Sequence, residues 1–248
     1  MRKAGKQVER IMADLAGCGL NVVADLLRGQ EPFTEGLHYP PDDATDASTG
    51  ARFYYHAHAG PLDEHGHFHL FAPVSPQRRE VGDRSKDLVH LVAISMDVWG
   101  MPQALFSINH WVSGGRWRDA GKTLDLLGRY RVEHAYPSWL VNRWITAMLR
   151  LFHPHITALL AARDKAIGEV ATGISVAAVR ADRRRPVVAI MPIDVGELLA
   201  GLQQLELQAG GGQEVESSPL ERLGKGAVQG RDGLSPAGKQ EYTPCRKR

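Results

Sequence analysis

The sequence predicts an α+β fold: an N-terminal helix, a small antiparallel sheet with a histidine-rich hairpin, C-terminal helices and a disordered tail. Three observations support this. Over residues 6–28, apolar side chains recur at the three- and four-residue spacing of an amphipathic helix. Residues 52–112 contain alternating segments and short apolar runs, which are typical of strands, and the helical period returns from Asp119 onward. Helix, strands and helices in this order indicate an α+β domain.

The first half of the chain supplies the predicted helix, a loop and the strands. A break in the helix is expected at Gly17–Gly19, and the Pro-, Gly- and Asp-rich segment 28–51 is predicted to be a long loop. Alternating aromatic residues and histidines predict paired strands, and a near-continuous apolar run predicts a central strand with its own hairpin partner. These strands are 52–58, 64–71, 87–97 and 103–112, with a polar loop at 72–86.

The second half is predicted to be mainly helical. Asp119 is a candidate N-cap for a short helix, and Pro137 and Pro154 lie near the starts of two longer ones. The segment RPVVAIMPID predicts one more strand, followed by the helix VGELLAGLQQLEL. We expect residues 1–205 to form a single domain. Residues 206–248 contain many Gly, Ser and Glu and few large apolar residues, so they are predicted to be a disordered tail.

Composition argues against several classes of protein. The formal net charge is only +2, without a concentrated basic surface, so we expect no nucleic-acid partner. The only cysteines, Cys18 and Cys245, cannot form a disulfide framework or a multi-cysteine zinc site. No apolar run approaches the roughly 20 residues of a membrane span, and the N-terminus lacks a signal-peptide core. We therefore expect no membrane partner and a cytoplasmic location.

Five of the eleven histidines lie in the segment YYHAHAGPLDEHGHFHLF, which begins at Tyr54. Alternate residues of a strand share a face. If 59–64 connect the strands, His56 lies opposite His67 and Tyr54 lies opposite His69, with Cβ atoms roughly 4.5–5.5 Å apart. That register would bring several imidazoles to one metal ion, and a slip of one residue would separate them. The candidate metal ligands are His56, His58, His65, His67 and His69.

The opposite face of the same hairpin has an apolar composition. It carries Phe53, Tyr55, Phe68 and Leu70, so one face resembles a ligand set and the other a core. This division favours a metal site over two alternatives, a solvent-exposed histidine-rich hairpin and core histidines satisfied by hydrogen bonds. The same register would place His58 opposite His65.

Residues near the histidines have several predicted roles. Glu64 is the candidate catalytic residue, as a general base on metal-bound water; it could also be a ligand, a carboxylate that orients an imidazole, or a solvated turn residue. Tyr54 and Trp111 are candidate substrate-binding residues. Together with Tyr55 and Trp99 they could line a pocket, although core packing is favoured for each of the four.

Two resemblances follow from these motifs. Gly50, His56-x-His58 and Glu64 resemble the first metal motif of the cupins, in which an HxH pair and a glutamate bind the ion. Here the gap between His58 and Glu64 is one residue longer, Phe71 replaces a glycine, and a clear second motif is missing. The pattern HYP…YYHAH…EHGHFH…HLVAISMD over 38–117 more closely resembles an uncharacterised bacterial family of unknown function, which implies a shared fold and no known activity.

Other candidate sites are weaker. The segment HYPPDDATD is expected to form Asx turns rather than to reach the metal, and His90 is expected to be buried and hydrogen-bonded rather than a ligand. GGRWRDAGKT lacks the P-loop spacing, and a G-x-S-x-G elbow is missing, which argues against nucleotide binding and serine hydrolysis. The polar residues of the first segment are His38, Asp42, Asp43 and Asp46.

The sequence therefore predicts a metal-binding protein that uses a histidine cluster to hold one or two divalent ions. Nitrogen ligands with a nearby carboxylate suit Fe, Zn, Cu or Ni. An open coordination position would make it an oxygenase- or hydrolase-like metalloenzyme acting on a small molecule. Two alternatives stay open: a non-catalytic metal-handling or sensing protein, and a structural domain without metal.

Overall fold

The computed structural model describes residues 1–30, 32–58, 63–75 and 87–210. Within them the fold is α+β as predicted, with an N-terminal helix, a six-stranded antiparallel sheet and C-terminal helices. The elements are α1 (Arg2–Gly17), α2 (Val22–Leu27), β1 (Tyr39–Thr45), β2 (Arg52–His56), β3 (Gly66–Pro73), β4 (Leu88–Met96), β5 (Pro102–Ile108), α3 (His110–Ser113), α4 (Ala120–Leu127), α5 (Trp139–Leu151), α6 (His153–Val170), α7 (Val176–Ala181), β6 (Val187–Pro192) and α8 (Val195–Gly210).

The sheet is a meander in which each strand pairs with the next along the chain, in the order β1-β2-β3-β4-β5-β6. Strand β4 lies between β3 and β5, and every one of its residues is buried, as its apolar run predicts. Strand β5 ends earlier than predicted. Asn109 follows it, and its side chain accepts a hydrogen bond from the His110 N–H at the start of α3.

The predicted loop 28–51 is wrong in its central part, because strand β1 lies there. Pro40 and Pro41 argued against a strand, since proline cannot donate to a ladder. The structure resolves this conflict by placing β1 at the edge of the sheet, where proline is tolerated. The β1–β2 pairing is also irregular, with a shift of register between Tyr39 and Ala44.

The helices follow the predicted order. The N-terminal helix is interrupted between α1 and α2, at the predicted glycines, and Asp119 caps α4 by accepting a hydrogen bond from the Lys122 N–H. Helix α8 covers the predicted helix VGELLAGLQQLEL and continues to Gly210, and the part of the predicted tail from 211 onward lies outside the described residues. No described helix is by itself long and apolar enough to cross a bilayer; α5 and α6 pass that test only as a pair, with a 70° bend between them.

The main core lies between one face of the sheet and the helices. Phe53, Tyr55, Phe68 and Leu70 are fully buried there, as predicted, and the Phe68 ring lies 5.9 Å from the ring of Trp144 on α5. Their neighbours along β2 and β3 point to the other face. That face carries the histidines and a smaller apolar cluster formed by Ala93, Phe106 and Ile108.

Candidate metal centre

The β2–β3 hairpin has the predicted register. His56 pairs with His67, and Tyr54 pairs with His69. These four side chains therefore share the face of the sheet that points away from the main core. The central part of the connection, residues 59–62, lies outside the described residues, so the register is established by the strands themselves.

Three histidines form the most compact part of the cluster. One nitrogen from each of His56, His67 and His69 lies within 4.8 Å of the others. Their ring centroids are 4.5 to 5.0 Å apart, and their exposed fractions are 2, 3 and 1%. Three imidazoles held this close, from two paired strands, could hold a shared metal ion.

His58 lies beside this group, and His65 does not. The ring of His58 is 4.8 Å from that of His56 and 5.1 Å from that of His67. Nδ1 of His65 instead lies 2.6 Å from the hydroxyl of Tyr55, on the core side of the hairpin. The structure therefore does not bring His65 together with the other predicted ligands.

The cause lies at Gly66, where β3 begins. Strict alternation applies only inside a strand, and His65 precedes it. A Cβ atom at position 66 would lie 2.5 Å from the Tyr55 hydroxyl and 2.6 Å from the carbonyl oxygen of His56. The two strands thus approach each other closely where only glycine fits.

Glu64 orients one member of the cluster. Its Oε1 lies 2.6 Å from Nδ1 of His67, and both side chains are 3% exposed. An ionised carboxylate only accepts hydrogen bonds, so Nδ1 of His67 carries a proton, and in the neutral imidazole Nε2 carries the lone pair. Of the predicted roles of Glu64, this geometry fits the carboxylate that orients an imidazole.

His90 takes a similar position beside His69. Its Nε2 lies 3.0 Å from Nδ1 of His69, and both residues are buried. A β-bulge produces this contact: Leu70 pairs with Val92 and Phe71 with His90, so Leu91 is an extra residue in β4. The bulge turns His90 to the histidine face. His90 is therefore buried and hydrogen-bonded, as expected, and its partner belongs to the cluster.

Burial favours the neutral form of His56, His69 and His90. Loss of hydration lowers the pKa of His56 and His69 far below the ordinary histidine value, and the neighbouring imidazoles lower it further. For His90, burial and then the charge of Arg163 lower the pKa to about 3. Neutral imidazoles have the free lone pair that a metal ion needs.

The remaining predicted residues lie in different places. Tyr54 lines the cluster, with its ring 5.3 Å from that of His56 and 5.2 Å from that of His69. Trp111 lies on α3, where its indole N–H donates to the Arg185 carbonyl, and its substrate role stays a prediction. Trp99 is 78% exposed in the β4–β5 turn, so core packing is wrong for it.

The polar segment before the hairpin divides into two parts. Asp46 accepts hydrogen bonds from the Ser48 and Thr49 N–H groups, as expected for a turn. His38 and Asp43 instead contact each other, and the His38 ring lies 5.7 Å from that of His56. The sequence signal for this arrangement was the position of HYPPDDATD directly before the hairpin.

The partial likeness to cupins does not extend to the fold. Cupins are two-sheet jelly rolls, whereas the described strands here form one six-stranded sheet.

Comparison with known proteins identifies a family. A family model described as Domain of unknown function (DUF6969) matches residues 2–193. No curated protein and no solved structure matches the chain. The match covers both strands of the histidine hairpin and β4, which holds His90. The chain belongs to this family of unknown function.

Proposed function

We propose that this domain is a metalloprotein that binds a divalent transition-metal ion through His56, His67 and His69. The observation that carries the proposal is the convergence of three buried imidazoles, with one nitrogen of each within 4.8 Å of the others. Two partners outside this triad support it. Glu64 contacts His67, and His90 contacts His69, and both contacts resemble the hydrogen bonds that orient ligand histidines in metal sites.

Unpaired polar atoms argue against a purely structural histidine cluster. Core histidines that serve only packing are expected to have their polar atoms satisfied. Among the described residues, Nδ1 of His56 and Oε2 of Glu64 are buried without a hydrogen-bond partner. These unpaired atoms belong to the cluster and to its carboxylate, where a bound ion and its exogenous ligand would lie near them.

Charge supports a cation. The Glu64 carboxylate is 3% exposed, and its Oε1 contacts Nδ1 of His67, one of the three converging histidines. A nearby positive charge stabilises a carboxylate that is buried this deeply. A divalent ion held by His67 would supply that positive charge.

The ligand chemistry restricts the metal. Neutral imidazoles suit Fe, Zn, Cu and Ni, whereas Mg and Ca prefer oxygen ligands. Cys18 is exposed on the loop after α1, and it has no place in this site. We infer that the ion is Fe, Zn, Cu or Ni and that nitrogen atoms bind it.

Three protein ligands leave a coordination position open, which favours an enzyme. Such an ion would activate water or dioxygen for attack on a small molecule, in hydrolase- or oxygenase-like chemistry. Glu64 would orient His67 through Oε1, and Oε2 would accept a proton from the activated ligand. Tyr54, half-buried beside the triad, would contact the substrate.

One observation favours a second candidate function. The His58 ring lies about as close to His56 and His67 as those rings lie to His69. If His58 were a fourth ligand, the coordination shell would be closed, and the protein would handle or sense the metal without catalysis.

Metal content of tag-free protein tests the proposal. We expect close to one equivalent of a first-row metal in the wild type and almost none in the His67→Ala/His69→Ala variant. The exposed His153 on α6 supplies the matched control, since His153→Ala should retain the metal. Equal metal content in all three proteins, or no metal uptake by the wild type after incubation with Zn, Fe, Cu and Ni salts, would refute the proposal.

Thermal unfolding shows whether the double variant loses the metal because the site is removed or because the protein is unfolded. We expect added metal to raise the Tm of the chelator-treated wild type, because an ion that binds only the folded state stabilises it. The same addition should leave the Tm of the folded double variant unchanged.

A further inference from the structure

A histidine–aspartate pair lies at the edge of the histidine cluster. Nδ1 of His38 is 2.8 Å from Oδ1 of Asp43, and the two side chains are 10% and 2% exposed. The guanidinium of Arg52 lies 3.4 Å from the other carboxylate oxygen and balances its charge. Because an ionised carboxylate only accepts hydrogen bonds, Nδ1 of His38 carries a proton, and in the neutral imidazole Nε2 carries the lone pair.

The backbone at Asp43 is arranged for this contact. Asp43 has a φ of +54°, and no other non-glycine residue in the described ranges has a positive φ. Aspartate tolerates this left-handed region better than most residues, but the conformation still costs about 1 kcal/mol. Such strain concentrates at functional sites. Here it coincides with the irregular β1–β2 pairing that lies between Tyr39 and Ala44.

The position of the His38 ring connects it to the proposed metal ligands. The ring stacks on Tyr54 at a centroid distance of 3.6 Å and an angle of 9°, and it meets His56 edge-on at 5.7 Å. Tyr54 in turn lies 5.2 Å from His69. His38 is not one of the three residues whose nitrogens converge. It lies next to the triad, on the side of Tyr54.

The second nitrogen of His38 has no assigned use. Nε2 is buried, and no hydrogen-bond partner lies within its reach in the described ranges. The other ring nitrogen is committed to Asp43, and stacking on Tyr54 fixes the plane of the ring. A buried lone pair held in one orientation beside a metal site is suited to accept a hydrogen bond from a bound molecule.

We infer that His38 accepts a hydrogen bond from the exogenous ligand of the metal ion, and that Asp43 holds its imidazole in the accepting tautomer. The inference rests on the proposed metal centre and adds the class of ligand to it. The favoured ligand carries an O–H or N–H group next to the atom that coordinates the ion. His56, His67 and His69 bind the ion, and His38 selects the molecule that occupies the open position.

Cobalt-loaded full-length protein allows a direct test, because bound cobalt reports ligand binding through its visible spectrum. Acetohydroxamate has an N–H beside its coordinating oxygen, whereas azide has no hydrogen-bond donor. His38→Phe preserves the stacked ring and removes the nitrogen; His153→Phe, at an exposed position on α6, is the matched control. We expect His38→Phe to bind cobalt as tightly as the wild type, to bind acetohydroxamate about tenfold more weakly, and to bind azide equally well.

Asp43→Asn gives a result that loss of structure would not produce. Arg52 should hold the Asn oxygen, so the amide N–H₂ would donate to Nδ1 of His38 and move the imidazole proton to Nε2. Acetohydroxamate binding should then weaken, and azide binding should strengthen.

The possible results distinguish a failure of the proposed metal centre from a failure of the proposed role of His38. If the wild type binds no cobalt, the metal centre and the role of His38 both fail. If cobalt binds but acetohydroxamate affinity is the same in His38→Phe and the wild type, the role of His38 alone is refuted. Loss of cobalt in folded His38→Phe would also refute it, because His38 would then be a ligand.

Discussion

His56 and His67 face each other across the β2–β3 hairpin with their Nε2 atoms 2.7 Å apart. Two imidazole nitrogens bound to one tetrahedral ion at roughly 2.0–2.1 Å lie roughly 3.3 Å from each other. Movements of less than an ångström, together with transfer of the shared proton from Nε2 of His56 to its unpaired Nδ1, would therefore convert this contact into joint coordination. The hairpin register keeps the free-energy cost of that conversion low, because both rings already lie on one face and are already buried.

Glu64→Gln should weaken metal binding without abolishing it. The amide oxygen can still accept from His67, but the negative charge that strengthens the imidazole as a ligand is lost. We expect metal affinity to fall about tenfold, as for other carboxylates that orient ligand histidines. Competition with a chromophoric chelator measures the affinity. Asp63→Asn, at the exposed neighbouring position, should match the wild type; equal affinity in Glu64→Gln would contradict the orienting role.

His65→Ala should leave the metal site intact. His65 contacts Tyr55 on the core side, so its removal leaves the buried Tyr55 hydroxyl without a partner. We expect the free energy of unfolding to fall by about 1–3 kcal/mol, with unchanged metal stoichiometry. Urea unfolding and elemental analysis provide the two readouts. Metal loss as complete as in His67→Ala would mean that His65 belongs to the ligand set.

Gly66→Ala should destabilise the hairpin and the site together. A Cβ atom there would overlap the Tyr55 hydroxyl and the His56 carbonyl oxygen, so β2 and β3 would have to separate. We expect a lower Tm and weaker metal binding. Gly168→Ala is the matched control: it lies in α6, where an added Cβ atom would meet nothing within 4 Å beyond the backbone of its own helix, and it should stabilise the helix by about 0.5–1 kcal/mol. An unchanged Tm and unchanged metal affinity in Gly66→Ala would contradict the close approach of β2 and β3 at this position.

Acid should destabilise the metal-free protein. The unfolded chain binds a proton at His90 near the ordinary pKa of 6.5, but the folded protein binds it only near 3. Lowering the pH through this window therefore favours the unfolded state, and His90 alone should cost about 1.4 kcal/mol between pH 7.5 and 5.5. Urea unfolding in the presence of chelator measures this loss. His90→Phe should reduce the pH dependence of the free energy of unfolding by about that amount, and His153→Phe should not. If this pH dependence is the same in the wild type and in His90→Phe, His90 is not held neutral in the folded protein.

The sequence predicted the features that depend on local periodicity. Alternation along residues 52–58 and 64–71 was enough to predict the opposition of His56 and His67, because one face was apolar and any other register would have buried the wrong set. The same periodicity identified β4 as a buried strand and placed the helices after the sheet.

Features that depend on breaks in periodicity were missed. His65 was grouped with its neighbours because nothing in the sequence shows that β3 begins one residue later, at Gly66. The contact of His90 with His69 requires a bulge at Leu91. The sequence does not indicate this bulge, because the run around Leu91 is apolar except for His90 itself, and an extra residue leaves that run unchanged. The contact of Asp43 with His38 requires a left-handed backbone in a proline-containing edge strand, whose composition is typical of a loop.

Anomalous X-ray diffraction from crystals of the metal-loaded protein, at the absorption edge of the bound element, tests the central claim most directly. We predict a strong peak at roughly 2.0–2.1 Å from one nitrogen of each of His56, His67 and His69. A peak at some other group of residues, or full metal loading without a peak beside these three rings, would contradict the account.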